Sequence, residues 1–182
     1  PELFSSRALL LQSSLRLERL ILDHNIHSPG RYLRFNRPIF RFALQIAKAA
    51  GAKVLITSSS DEKLVRAEGL GADAGINYLK HVAWEKQVKE LTDGRGVDRV
   101  IEVGGPGTIE RSIDAVAVGG AISLIGVLTG FESPHLGLFP LVTHNADLSG
   151  IYVGSRAMFE RMNSFLVQHK IRPVIDEEFV FQ

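Results

Sequence analysis

From Phe42 onward, short apolar runs alternate with stretches whose apolar residues recur at helical spacing. Strands are predicted at 53–57, 74–78, 98–103, 121–127 and 148–153. Helices are predicted at 42–50, 62–70, 82–92, 109–118, 138–144 and 156–169. The punctuation agrees with this alternation. Gly51, Gly71 and the Gly119-Gly120 pair suit helix ends, while Ser60 or Asp61 and Ser155 suit helix starts. Apolar strands of about five residues, lacking polar alternation, are buried on both faces, and helices between them cover those faces. The pattern therefore predicts an α/β fold with a doubly wound parallel sheet. Its crossovers are right-handed and its ligands sit beyond the C-terminal ends of the strands.

Composition narrows the class. The chain has 182 residues, 45% hydrophobic and 23% charged, with a net charge of +1. That balance fits a globular domain and gives no whole-chain argument for nucleic acid. No cysteine is present, so disulfides and thiolate metal sites are excluded. No apolar run reaches the roughly 18 residues of a membrane helix. A cytoplasmic protein is the corresponding expectation.

Charge divides the chain. Residues 1–41 carry seven arginines (Arg7, Arg16, Arg19, Arg31, Arg34, Arg37 and Arg41), no lysine and three acids, a local charge of +4. The remainder is −3. Two segments are expected: an atypical arginine-rich stretch at 1–41, helical in part, and an α/β domain at 42–182. Leu9, Leu10, Leu15, Leu17, Leu20 and Ile21 fit one apolar helix face. The acid-poor stretch Phe4–Leu20 also has the look of a transit peptide. A phosphate-contacting patch with interleaved aromatics is a third reading, unsupported by any nucleic-acid motif.

The segments FALQIAKAAGAKV (42–54), TSSSDEKL (57–64), LGADAGINY (70–78), ELTDGRGVDRVIEVGG (90–105), GGAISLIGVL (119–128) and GIYVGSRAMFERMN (150–163) occur in an order and spacing that resembles the medium-chain dehydrogenase/reductase superfamily. The similarity is greatest to its zinc-type alcohol dehydrogenase and quinone-oxidoreductase-like branch. The resemblance implies a Rossmann-like domain, truncated at its C-terminus, that binds NADP or NAD. Its partners would be a nicotinamide dinucleotide and, through the catalytic domain, a small alcohol, carbonyl or enone. That catalytic domain, which holds the zinc ligands of metal-dependent members, has no counterpart here. The expectation is a cofactor-binding half, inactive alone and without a zinc site.

In the family, a strand and a glycine-rich turn precede the helix matching Phe42–Ala50, and that turn grips the pyrophosphate. The matching residues here, Arg34–Arg41, contain no glycine. The N-terminal segment is thus expected to replace both strand and turn, with Ile39 and Phe40 crowding the diphosphate. A displaced reading frame upstream of Phe42 is one account of the departure.

The resemblance supplies candidate cofactor contacts. Ser58, Ser59, Ser60 and Lys63 follow the strand whose end meets the adenosine ribose. Hydroxyls and an ammonium, in place of an acid, suit a 2′-phosphate and favour NADP; a helix cap with a solvated lysine is the plainer reading. Asn77 and Tyr78 are expected near the adenosine. Val103, Gly104 and Gly105, then Gly126, Val127 and Leu128, are expected around the nicotinamide and its ribose. Gly154, Ser155 and Arg156 are expected to approach the cofactor. Glycine equally serves a tight strand-to-helix turn, and Arg156 equally serves a helix surface.

The six histidines form no ligand cluster by spacing, and no catalytic residue can be assigned. Two other functions compete. Val100–Gly107 is similar to the strand-plus-glycine loop that holds S-adenosylmethionine in methyltransferases, although that loop should follow the first strand. A non-catalytic fragment or oligomeric module is the other. The family pairs edge strands into homodimers, so 121–127 and 148–153 are candidate interface strands.

Overall fold

A computed structural model describes residues 19–22, 38–131, 137 and 139–175, with side chains from Ile39 and none for 19–22. Among the described residues six strands form one parallel sheet. In chain order they are β1 (Arg19–Leu22), β2 (Lys53–Ser58), β3 (Ala74–Asn77), β4 (Val97–Glu102), β5 (Val116–Leu124) and β6 (Asp147–Gly150). The described helices are α1 (Pro38–Ala49), α2 (Asp61–Gly69), α3 (Trp84–Glu90), α4 (Ile109–Ala115), α5 (Phe139–Thr143) and α6 (Arg156–Gln168). The sheet order is β3-β2-β1-β4-β5-β6. This is the doubly wound arrangement whose order reverses at the centre, between β1 and β4.

The first strand is therefore present, contrary to expectation. Arg19–Leu22 pairs with Lys53–Ile56 on one side, and Leu20–Leu22 pairs with Arg99–Ile101 on the other. Leu20 and Ile21 suit a helix by spacing, but two flanking strands offer this segment a hydrogen-bonded ladder on each edge. Such a ladder joins the two halves of the sheet, and local periodicity does not report it. The rest of the N-terminal helix reading, Leu9–Leu17, lies outside the described residues. So do residues 23–37, which connect β1 to α1.

Helix α1 begins at Pro38, four residues before the expected start. Proline is favourable in a first helical turn, where its missing N–H has no partner to lose. This changes the role of Phe40. It lies in the core with Leu44 and Ala47, at i, i+4 and i+7. The ring of Phe40 is thus turned into the core, while Ile39, the other residue of that expectation, is exposed.

The two faces have separate cores. Val54, Ile56 and Val103 meet Phe40, Leu44 and Leu64 of α1 and α2. Leu55, Ile76, Val100 and Ile122 meet Trp84, Val88, Ile109 and Ile113 of α3 and α4. The alternation Val54–Leu55–Ile56 along β2 sends successive side chains to opposite faces, as pleating demands. Trp84 is completely buried.

Element limits shift most around β5. The helix expected to run to Val118 ends at Ala115, and the strand begins at Val116 in extended backbone. The Gly119-Gly120 pair lies inside β5, where the pairing with β4 changes register between Val97 and Arg99. β5 is flanked by β4 and β6, so it offers no free edge and cannot be an interface strand. Only β6 of that expected pair is terminal in the sheet.

One carboxylate clamps a crossover. Asp73 accepts hydrogen bonds from the Val54 amide (2.7 Å) and Lys48 Nζ (2.8 Å), tying the turn before β3 to β2 and α1. Burial pushes its pKa up, but the bonds from Lys48 and Val54 outweigh this and hold it below the ordinary value. Since the folded-state pKa is the lower one, its stabilisation is complete above about pH 4 and fades as pH falls through the depressed value. Asp73→Asn is expected to cost about 1 kcal/mol at pH 7 and to flatten the acid limb of stability. Urea unfolding between pH 7 and 3 measures both; an unchanged acid limb would refute the assignment.

Candidate cofactor-binding site

The C-terminal ends of the parallel strands bring most of the candidate residues to one edge of the sheet. At the β2–β3 end, Ser58 pairs in register with Asn77. Ser58, Asn77 and Tyr78 are buried, Ser59 and Ser60 are half-buried, and Lys63 is exposed. Ser60 caps α2 by accepting from the Lys63 amide at 3.4 Å, and Ser58 Oγ accepts from the Ser60 amide at 3.3 Å. The cap reading of Ser60 is thus realised in the structure. Two further groups belong here: Lys80, which sequence reasoning did not single out, and Asp61, which it offered only as a helix start. Asp61 Oδ1 accepts from Asn77 Nδ2 at 2.7 Å, and Asp61 Oδ2 accepts from Lys80 Nζ at 2.6 Å. Asn77 first, then Lys80, lowers the Asp61 pKa.

At the β4–β5 end, two turns cross. The Leu128 amide donates to the Val103 carbonyl (3.4 Å), and the Thr129 amide donates to the Gly104 carbonyl (2.8 Å). Thr129 Oγ1 donates to the same carbonyl (2.9 Å) and accepts from the Gly107 amide (2.7 Å). The contact is close because it is made by glycines. A Cβ at Gly126 would lie 2.3 Å from the Val103 carbonyl oxygen. At Gly105, whose φ is +88°, a Cβ would lie 2.8 Å from the Val127 Cα. These glycines let one segment of backbone pass against another. Val127 and Leu128 stand partly exposed beside them, an apolar surface at the strand ends.

Beneath the crossing lies Glu102, with no solvent exposure. Its Oε1 accepts from the amides of Gly104 (2.6 Å) and Gly105 (3.0 Å) and from Thr108 Oγ1 (2.7 Å), while Ser112 Oγ bonds to Oε2. A buried carboxylate needs such a set of partners. Glu102 shapes the turn without facing solvent. Its signal in the sequence is an acid following the apolar pair Val100-Ile101 at the strand end, with hydroxyls after it at Thr108 and Ser112.

Gly154, Ser155 and Arg156 follow β6 and are exposed. Ser155 caps α6 through the Met158 amide (3.3 Å), and Arg156 Nε pairs with Glu160 (2.8 Å) one turn along. Their bonds are local to the helix start. Helix α6 has no buried residue, and Met158, Phe159 and Met162 stand exposed on it. Among the described residues no group of three histidine, cysteine or acidic side chains is placed to hold a metal ion. Nor is any described helix long and apolar enough to cross a membrane.

The residues present fit a dinucleotide in two respects. The strand ends offer polar groups at Ser58–Ser60 and Asn77, and exposed apolar side chains at Val127 and Leu128, at separate places along one edge. Of the stretch matched to the family's phosphate-gripping turn, 34–37 lie outside the described residues, and Pro38–Arg41 form the first turn of α1.

A sequence-family model described as "Zinc-binding dehydrogenase" matches residues 38–168. A zinc-type alcohol dehydrogenase-like protein of Schizosaccharomyces pombe is 45% identical over 143 residues, which are 77% of this chain and 41% of that one. An alcohol dehydrogenase of Geobacillus stearothermophilus is 34% identical over 136 residues, 74% of this chain and 38% of that one. Among solved structures, a Sinorhizobium meliloti protein assigned as an alcohol dehydrogenase aligns over 93% of this chain and 46% of its own, with 39% identity and a TM-score of 0.78. An NAD-dependent alcohol dehydrogenase aligns over 86% of this chain and 42% of its own, with 29% identity and a TM-score of 0.73. The chain thus spans less than half the length of these relatives.

Proposed function

The chain belongs to the zinc-binding dehydrogenase family, and from that premise we propose that it is the nicotinamide-dinucleotide-binding unit of a medium-chain oxidoreductase. The observation that carries the reading is the edge of the β3-β2-β1-β4-β5-β6 sheet, where the candidate residues gather at the strand ends. The cofactor would lie along that edge. Its adenosine would sit near Ser58, Ser59, Ser60, Lys63, Asn77 and Tyr78. Its nicotinamide would lie against the crossing of Val103–Gly105 with Gly126–Leu128, and Gly154–Arg156 would close the far side. When bound, the nicotinamide supplies a hydride exchanged with an alcohol, carbonyl or enone. The chain's own task is to hold the ring in place; the groups that polarise substrate belong to a catalytic domain.

NADP is the proposed cofactor, with NAD the alternative. Among the described residues no acid stands unpaired at the β2 end, since both Asp61 oxygens accept from Asn77 and Lys80 and Glu62 pairs with Arg66. The hydroxyls of Ser58–Ser60 and the Lys63 ammonium favour a phosphate there. A homodimer through the outer edge of β6 goes with this reading. Beside that edge Ile151, Tyr152 and Val153 are exposed, Tyr152 at 97%. A cytoplasmic location follows from the same reading.

A second reading, a non-catalytic oligomeric module, is favoured by the apolar side chains exposed on α6. S-adenosylmethionine is disfavoured, because the Gly104–Gly107 loop follows β4 rather than β1. Calorimetric titration with NADPH, NADH and S-adenosylmethionine separates the three. Saturable NADPH binding, tighter than NADH, is expected. Binding of neither dinucleotide would overturn the proposal.

A further inference from the structure

Asp61 is the first residue of α2 and follows directly on the three serines at the end of β2. Standing alone, its carboxylate would have two effects on an adenosine ribose arriving at Ser58–Ser60. It would accept a hydrogen bond from a 2′-hydroxyl, and it would repel a 2′-phosphate. In the structure it is not alone. Asn77, paired with Ser58 across the β2–β3 ladder, donates its amide to Oδ1 at 2.7 Å. The orientation of that amide follows from its other bond: Asn77 Oδ1 accepts from the Leu79 main-chain N–H at 3.0 Å, so Nδ2 is the group facing Asp61. Lys80 closes the arrangement, with Nζ 2.6 Å from Oδ2. The other acid of the same helical turn is also engaged: Glu62 pairs with Arg66 at 2.6 Å. Both acids beside the serines thus carry a cation, and among the described residues Lys63 has no ion-pair partner.

We propose that the Lys80–Asp61–Asn77 network selects the 2′-phosphorylated cofactor, by turning an acid that would favour a 2′-hydroxyl into the anchor of a lysine that favours a phosphate. This rests on the cofactor reading above and assigns that site's preference to residues beyond the serines. Lys80 acts as a charge at the rim of the adenosine site. Asp61 holds it there and offsets it, and Asn77 fixes Asp61. The network spans two strand ends that are 16 to 19 residues apart in sequence. Strand pairing is what assembles it.

The two charged members have opposite signs, so their removal must act in opposite directions. Dissociation constants for NADPH and NADH are measured at low ionic strength, where exposed charges are least screened. The chains compared are wild type, Lys80→Met, Asp61→Asn and the double variant. Lys86→Met, the same charge change on α3, serves as the control. Lys80→Met is expected to reduce the preference for NADPH over NADH about fivefold. Asp61→Asn is expected to raise it by about threefold. The double variant is expected to return to within about twofold of wild type, since the two charges cancel. High salt should narrow every difference. A Lys80→Met shift no larger than that of Lys86→Met overturns the proposal, as does a shift of both single variants in one direction. A wild-type chain that binds neither dinucleotide overturns the cofactor reading and the proposal together. Binding without these shifts overturns the proposal alone.

Discussion

Glu102→Leu is expected to destabilise the domain by about 4 kcal/mol and to abolish dinucleotide binding. The size follows from what the carboxylate does. It is wholly buried and takes bonds from the Gly104 and Gly105 amides, from Thr108 Oγ1 and from Ser112 Oγ. Leucine fills much of the volume and satisfies none of these groups. An orphaned buried donor costs about 1–3 kcal/mol, and several at one place do not add fully because the turn relaxes. Glu102→Gln separates the bonding role from the volume. Its Oε1 can still accept from the two amides, and its Nε2 can donate to the Ser112 hydroxyl, so a loss of only about 1 kcal/mol is expected. Urea unfolding measures the stability, and NADPH titration measures the site. If the leucine variant stays within 1 kcal/mol of wild type, the account of Glu102 as the keystone of this turn is wrong.

Gly126→Ala should act on the same crossing from the other side. An added methyl would lie 2.3 Å from the Val103 carbonyl oxygen and 2.9 Å from the Val103 Cα. Both atoms are backbone, so no flexible side chain can swing away. The β5 turn must lift from the β4 turn, weakening the Thr129 and Leu128 bonds that join them. Overpacking of this kind costs about 1–3 kcal/mol, and the upper end is expected here. Dinucleotide affinity should fall at least tenfold, because the displaced segment carries Val127 and Leu128. Gly69→Ala is the matched control. Nothing lies within 4 Å of its added Cβ, and its φ is not positive. It should be neutral or slightly stabilising. Equal behaviour of the two alanine variants would show that the crossing does not constrain the fold.

Much of this architecture was legible before any coordinates. Strand β2 announces itself as an unbroken apolar run, Ser60 as a cap, and α3 through Trp84 and Val88 four residues apart. Each of these signals is local: neighbours in sequence are neighbours in space. The family resemblance extended that reading to the strand ends. What escaped was non-local. Leu20 and Ile21 have helical spacing and still form the central strand, because β2 and β4 offer ladders on both edges. Phe40 looks like an obstruction beside a phosphate turn, until α1 is seen to start at Pro38 and turn the ring into the core. β5 was expected as an interface strand, yet β6 covers its outer edge.

The candidate site divides along the same line. Ser58, Asn77, Gly104 and Gly126 were found from the sequence as residues at strand ends, and their position on one edge follows from a parallel sheet alone. Their chemical setting was not. That Asp61 is held by Lys80 and Asn77, and that Glu102 binds the turn under Gly104, depends on contacts between separate elements.

The amino-acid order by itself determined that helices and short buried strands alternate, since burial on a helix or a strand follows a short period that the chain carries internally. Tertiary structure alone decided which four residues complete the sheet, which carboxylates are engaged, and why glycine is required at 105 and 126. Those outcomes are set by pairings such as Gly104 with Thr129, 25 residues apart, whose energies exist only once the layers have closed.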